Sequence, residues 1–223
     1  MEKVEDKLKN NDIDNSLSMK FTKYMEKYTR LYYYLAKKTK TYLPDSANTP
    51  NIVDLSVGPG LLSLELSKII DQAHIIGIDP SKNMLKIANE KLKICNYCNL
   101  ILSKVENLPL KSCYIDIIVS RFGISSWNNL HKGFSESFRV LKPNGKLILE
   151  ILNKDFPKWK QAIMKFHMRI NGAGKEVIKY NIDSYKTVLN LKKIEQLLIN
   201  NGFKIIEHEG KHHDWKKLIV ATK

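Results

Sequence analysis

Asn51-Ile52-Val53-Asp54-Leu55-Ser56-Val57-Gly58-Pro59-Gly60 is a short, β-branched apolar run that ends in two closely spaced glycines. Leu62, Leu66, Ile69 and Ile70 follow it at helical spacing, so the stretch reads as strand, tight turn and helix. Glycines at the carboxyl end of a first parallel strand let a ligand approach the backbone, and the helix N-terminus offers free N–H donors to an anionic group. Asp79 closes the next strand pattern, Ile75-Ile76-Gly77-Ile78-Asp79. It lies near the ~20-residue offset from the glycines at which a carboxylate bonds the hydroxyls of a ribose. The spacing predicts an adenosine-containing ligand.

Outward from this loop, strand-like and helix-like runs alternate. Strand patterns fall at Ile52–Val57, His74–Ile78, Leu100–Leu102, Ile115–Ser120 and Gly145–Leu152. Ser81 can cap a helix whose apolar face is Met84, Leu85, Ala88 and Leu92, and Leu130–Leu141 reads as another. Strands apolar on both faces and separated by helices imply a mostly parallel α/β sheet covered on both sides. Beyond residue 190, Leu191, Ile194, Leu197 and Leu198 mark a helix stopped by Gly202. Phe203–Glu209 and Lys217–Thr222 are then strands joined by a loop too short for a crossover helix, so the sheet is expected to end in an antiparallel hairpin. The organisation expected is one domain over 1–223. It has a flexible lead-in at 1–20, an amphipathic cap helix at 21–45, a cofactor-binding core at 51–152, a cap insertion at 153–190, and the terminal helix and hairpin at 191–223.

Composition bounds the class. Hydrophobic residues make up 43% and charged residues 27%, which is globular rather than disordered. No window approaches the ~18 apolar residues of a transmembrane helix, and Met1–Asn15 lacks the apolar core of a signal peptide, so the cytoplasm is the expected location. The cysteines, Cys95, Cys98 and Cys113, are odd in number, and no second ligand pair stands at zinc spacing from Cys95-x-x-Cys98. They read as ordinary cysteines at a helix end, with no metal expected. The net charge is +14, and the excess sits mainly in residues 151–223, which hold 15 basic and 7 acidic side chains. A basic face attracts phosphates, anionic lipid headgroups or acidic substrates without saying which. Only four of the basic residues, Arg30, Arg121, Arg139 and Arg169, are arginines, the residues that read bases and phosphates bidentately.

Asp54 narrows the ligand. A dinucleotide would set its pyrophosphate over the loop, where a buried carboxylate repels it with little water to screen the repulsion. The dinucleotide pattern also asks for glycine or alanine where Ser63 stands. An amino-acid moiety would instead bring an ammonium group that Asp54 could hold. S-adenosylmethionine carries a ribose at one end and an amino acid at the other.

VDLSVGPG, IGIDPSKNML, ENLP, YIDIIVSRFGISSW and FRVLKPNGKLIL, in this order and spacing, resemble the successive motifs of class I S-adenosylmethionine-dependent methyltransferases. The branch they resemble includes ubiquinone and menaquinone biosynthesis enzymes. The likeness covers about residues 51–152, with a weaker echo at 191–222. It implies a Rossmann-like, seven-stranded sheet and S-adenosyl-L-methionine as cofactor, with S-adenosyl-L-homocysteine as product. It also implies that Asp54 and the loop Ser56, Gly58 and Gly60 hold the methionine end, that Asp79 takes the ribose hydroxyls, that Pro80 and Met84 flank the adenine, and that the Val105 backbone meets its edge. Two positions depart from the pattern. Glycine is usual where Ser56 stands, and serine fits if its φ is negative. An acidic residue is usual where Lys104 stands, and lysine cannot accept from an amine, which leaves Glu106 or backbone atoms to replace it.

Methyl transfer is an in-line displacement, so alignment and exclusion of water can supply most of the acceleration. Arg121, at the end of the fourth strand, can orient an acidic substrate or pair with a structural carboxylate. Trp127 can stack on an aromatic acceptor or belong to the core. His167 is the candidate general base, and His208, His212 and His213 are given no role. Tyr28, Tyr32, Trp159, Phe166 and Tyr185 suit a cap around the acceptor, with Asn171-Gly172-Ala173-Gly174 as its hinge. The acceptor expected is a small molecule, lipophilic or anionic. The alternatives are an RNA or protein methyltransferase using the basic last third, a nicotinamide-dependent oxidoreductase, and a cofactor-binding module without turnover.

Overall fold

A computed structural model of the chain describes residues 14–44, 48–211 and 213–223, so residues 1–13 of the expected lead-in, part of the turn at 44–50 and His212 lie outside the described residues. Seven strands form one sheet: β1 (Asn51–Leu55), β2 (His74–Asp79), β3 (Cys98–Leu102), β4 (Ile115–Arg121), β5 (Leu141–Leu152), β6 (Lys204–Glu209) and β7 (Lys216–Thr222). Their order is β3-β2-β1-β4-β5-β7-β6. The first five run parallel, and β7 pairs antiparallel with both β5 and β6, as the short final connection requires. Strand order reverses between β1 and β4, and open α/β sheets bind ligands in the crevice outside the strand ends at such a point.

Successive residues of the central strands point to opposite faces, so each strand feeds two cores. Ile52, Ile117, Val119, Ile148 and Val220 pack under α1 (Asn15–Met25), α2 (Thr29–Lys40) and α3 (Leu61–Ile69), meeting Tyr24, Tyr32, Leu35 and Leu66. Val53, Ile118, Leu147, Leu149 and Ile219 pack on the other face against Phe134 of α5 (Leu130–Val140) and against Ile194 and Leu198 of α8 (Leu191–Asn200). Helix α4 (Lys82–Leu92) follows β2 and starts at Ser81, whose side chain accepts from the Met84 N–H. Asn129 and Asn190 cap α5 and α8 in the same way.

Several expectations are corrected. The N-terminal helix starts at Asn15, capped by Asp14, so residues 15–20 are helical rather than a flexible lead-in. It then breaks at a 3-10 turn, Glu26–Tyr28, so the expected single helix is two. The insertion contains two helices, α6 (Lys158–Ile170) and α7 (Lys175–Thr187), with Gly172 at φ 79° in the turn between them. Strand β5 begins at Leu141, four residues early, because an irregularity in its pairing with β4 absorbs the Pro143-Asn144 turn. Cys95 and Cys98, read as ordinary helix-end cysteines, are joined in a disulfide. Cys95 lies in the turn after α4 and Cys98 opens β3, with Cα atoms 5.5 Å apart, within reach of a bridge.

Candidate functional site

The carboxyl ends of β1 and β2 bring two carboxylates to one cavity. Asp54 is buried, its Oδ2 accepting from the Ser63 hydroxyl at 2.7 Å. Burial pushes its pKa up to about 7, and the nearby Asp79 charge adds to the rise while the Ser63 bonds oppose it. Asp79 is buried too. Its Oδ2 accepts the Gly58 N–H and its Oδ1 the Ser81 N–H, each at 2.9 Å, and burial still raises its pKa to about 6. The Asp79 bond to Gly58 ties the glycine loop to the neighbouring strand, a link that Val57 N–H repeats by donating to Ile78 O at 3.0 Å.

The loop turns through left-handed backbone at Ser56, Gly58 and Gly60, with φ of 62°, 52° and 80°. The condition set for serine at this position, a negative φ, is therefore not met. Serine occupies a conformation that favours glycine, and its Oγ accepts the Trp127 indole N–H at 3.3 Å. Gly60 is required on two counts, its positive φ and a side-chain position that would meet Ala88 of α4 at 3.1 Å.

Around the same cavity stand Pro80 from the β2–α4 turn, Met84 from the first turn of α4 and Tyr32 from α2. Tyr180, Asn181 and Ser184 of α7 complete it from above. Burial lifts the Tyr180 hydroxyl to about 12, helped by the Asp79 charge. Asn181 Oδ1 is shielded from solvent and has no hydrogen-bond partner. Beside this cavity runs an apolar groove of about 630 Å³ between α1, α2 and α6. Met25, Tyr28, Leu31, Trp159, Ile163 and Met164 line it, and His167 stands in the same wall. Phe21, Arg121, Phe122 and Asn181 line both spaces.

The structure brings together Asp54, Ser56, Gly58, Asp79, Pro80 and Met84, whereas Gly60 sits behind them as the cap residue of α3. Val105 lies outside both walls, its side chain buried in the core. Glu106 is occupied elsewhere, accepting the Asn129 N–H at 2.9 Å. Trp127, read as either an acceptor platform or a core residue, packs edge-on against Phe134 and lines neither space, which places it with the core. Arg121 pairs with Glu150 at 2.7 Å, and Lys216 meets the same carboxylate. Tyr32 and Phe122 flank the guanidinium at 4.4 and 4.3 Å, so its charge serves the fold. Among the cap aromatics, Tyr28 and Trp159 reach the groove, Tyr185 is buried with its hydroxyl donating to Trp215 O, and Phe166 faces away. Tyr180, Asn181 and Ser184 were not legible beforehand. Their spacing on one helical face is the only signal, and their partner cavity is assembled by other segments.

A methyltransferase domain family matches residues 53–149. The ubiquinone/menaquinone biosynthesis C-methyltransferase UbiE of Edwardsiella ictaluri is 31% identical over 140 residues, covering 60% of this chain and 56% of that protein. The enzyme of the same name from Wigglesworthia glossinidia brevipalpis is 27% identical over 204 residues, covering 86% and 82%. A crystal structure from Methanococcus maripaludis, provisionally assigned as an S-adenosyl-L-methionine-dependent methyltransferase, superposes with a TM-score of 0.64 at 26% identity, covering 89% of each chain. These likenesses remove the nicotinamide alternative. No helix among the described residues is long and apolar enough to cross a membrane.

Proposed function

Because the chain belongs to the class I S-adenosylmethionine-dependent methyltransferases, we propose that it methylates a small lipophilic acceptor held in the apolar groove. One observation carries this reading: Phe21, Arg121, Phe122 and Asn181 line both the carboxylate cavity and the groove, so ligands in the two spaces meet across these side chains.

The polar cavity suits the cofactor. Asp54, a carboxyl that burial holds near neutrality, is stabilised as the anion by the ammonium of the methionine end. Each Asp79 oxygen is used by one backbone N–H and retains a lone pair for a ribose hydroxyl. Pro80 and Met84 flank the adenine, and the loop from Ser56 to Gly60 receives the methionine carboxylate. Bound S-adenosylmethionine supplies an electrophilic methyl group on a sulfonium. The chain contributes alignment and a dry wall, Tyr32 and Tyr180 on the cofactor side and Met25, Leu31 and Met164 on the acceptor side. No carboxylate lines the groove, so a cationic acceptor has no partner there, and with Arg121 consumed by Glu150 the lining is apolar apart from Lys160, His167 and Asn181. His167, hydrogen-bonded to Asn171, remains the candidate base. The similar enzymes named above work in quinone biosynthesis, which agrees with a ring bearing an apolar tail.

The test has two parts. Calorimetry should detect binding of S-adenosylhomocysteine, and a panel of phenolic, quinol and isoprenoid acceptors should release it from S-adenosylmethionine. Leu31→Trp, which narrows the groove, should raise the acceptor KM without changing S-adenosylhomocysteine affinity. Turnover with RNA or peptides and none with lipophilic small molecules overturns the reading.

A further inference from the structure

Helix α6 carries an apolar stripe on the side facing away from the protein. Trp159, Ile163, Phe166 and Ile170 recur at three- and four-residue steps and are 63%, 59%, 66% and 65% exposed. The opposite side holds the inward residues, with Met168 buried and Met164 packed against the cores. At 100° per residue the stripe occupies a narrow arc. Lys158, Lys165 and Arg169 border it on one side, Lys160 and His167 on the other. A helix of this short length has no need of four exposed large apolar side chains to satisfy the fold, because its packing is done by the other face.

A second feature adjoins the first. Between α6 and α7 a cleft of about 700 Å³ is lined by Lys165, Arg169, Lys175 and Lys179, with Ile178 and Ile182 in its floor. None of these four cations is ion-paired among the described residues, and the one carboxylate in the cleft, Asp183, is held by Lys186 at 2.5 Å. Uncommitted positive charge thus sits beside exposed apolar area on one face of the cap. Trp159 and Ile163 also line the mouth of the acceptor groove, so the groove opens where the stripe lies.

We propose that this face docks on the surface of an anionic lipid bilayer. Trp159, Ile163, Phe166 and Ile170 enter the boundary between headgroups and acyl chains, with the helix lying in the plane of the surface. Lys158, Lys165, Arg169, Lys175 and Lys179 meet lipid phosphates around them. Charge complementarity selects this occupant. An uncharged apolar partner would leave five cations facing nothing, whereas an interfacial helix places its basic residues at headgroup level. Docking itself does not depend on the methyl acceptor. If the acceptor reading also holds, the groove mouth faces the phase in which a lipophilic molecule dissolves.

The experiment is sedimentation of the full chain with vesicles of phosphatidylcholine alone and with equimolar phosphatidylglycerol and phosphatidylcholine. Binding is expected to the mixed vesicles, falling with added salt. Phe166→Ser with Ile170→Ser should weaken it by at least about tenfold, because two exposed side chains lose their burial in the interface. An unchanged thermal midpoint shows that this variant is folded. Lys165→Glu with Lys175→Glu should weaken binding to mixed vesicles and leave any residual binding to phosphatidylcholine unaltered. Mixed vesicles should also blue-shift the tryptophan fluorescence of the wild-type chain, and Trp159→Phe should remove the shift. Equal binding to both vesicle types, or unchanged binding in both variants, overturns the proposal. So does a dimer in solution that Phe166→Ser with Ile170→Ser converts to monomer, since the stripe would then be a contact between two copies.

Discussion

Ser56 Oγ accepts the Trp127 indole N–H at 3.3 Å while Ser56 itself sits at φ 62°. The hydrogen bond rewards a side chain at a position whose backbone favours glycine. The two effects separate on substitution. Ser56→Ala keeps the strain and loses the acceptor, and should destabilise the chain by about 1 kcal/mol. Ser56→Gly also loses the acceptor but relieves the strain, so it should be more stable than the alanine variant by about 1 kcal/mol. Chemical denaturation of both variants reads the order. Alanine at or above glycine removes the strained conformation.

Asp79 holds Gly58 and Ser81 with its two oxygens, so it organises the loop as well as facing the cavity. Asp79→Ala should weaken S-adenosylmethionine and S-adenosylhomocysteine alike by about one to two decades, from hydrogen bonds to a charged group worth roughly 1.5–3 kcal/mol. It should also increase amide exchange at Gly58. Unchanged calorimetric affinity excludes Asp79 from the site.

Affinity should depend on pH in a window set by both buried carboxyls. Their folded values, about 7 for Asp54 and about 6 for Asp79, lie above the ordinary carboxylate value near 4. In the free protein this costs stability as pH rises: their contribution is fully present below about 4 and lost through about 6 to 7. Binding has the opposite sign. A cationic methionine end needs Asp54 ionised, so affinity should climb between pH 5 and pH 7.5 by up to about a decade per unit for each group that must ionise, with proton release on binding. Asp54→Asn should flatten the upper part of the rise, and should harm S-adenosylmethionine more than an analogue lacking the amino group. A flat profile in the wild type, or equal loss of both ligands in the variant, contradicts the assignment.

The strand–turn–helix at 51–70, Asp79 and the final hairpin were legible because local pattern dictates them: β-branched runs, positive-φ glycines and a connection too short to cross over. What stayed hidden depends on distant segments. Arg121 meets Glu150 through the alignment of β4 on β5, and nothing near residue 121 announces that partner. Serine stands at Ser56 with a positive φ, and the bond that compensates it comes from Trp127, 71 residues away. Asn181 lines a cavity whose floor is built from β1, β2 and β4, so its role appears only once α7 is laid across them.

The Arg121–Glu150 pair is nearly closed to solvent, with side chains 6% and 2% exposed. Arg121→Met leaves Glu150 to Lys216 alone, and removal of one partner from a buried pair should cost about 3 kcal/mol, visible as a lowered thermal midpoint. If Arg121 instead bound an acidic acceptor, the substitution would raise the acceptor KM with the midpoint unchanged.

The cap should close on the cofactor. Phe21 of α1, Tyr32 of α2 and Tyr180, Asn181 and Ser184 of α7 wall the carboxylate cavity, although the cofactor motifs lie in the first five strands and their loops. Ligand binding therefore has to order three helices that otherwise meet the sheet along one side. The α6–α7 turn, with Gly172 at φ 79° and Gly174 unobstructed, lets α7 settle independently of α6. Hydrogen exchange should show residues 21–43 and 175–187 gaining protection when S-adenosylhomocysteine is added, with the exposed outer face of α6 changing least. Asn181→Ala should reduce the gain in α7 if its buried Oδ1, unpartnered in the free protein, meets the ligand. Protection confined to the loops within 52–110 would leave the helices as packing alone and refute closure.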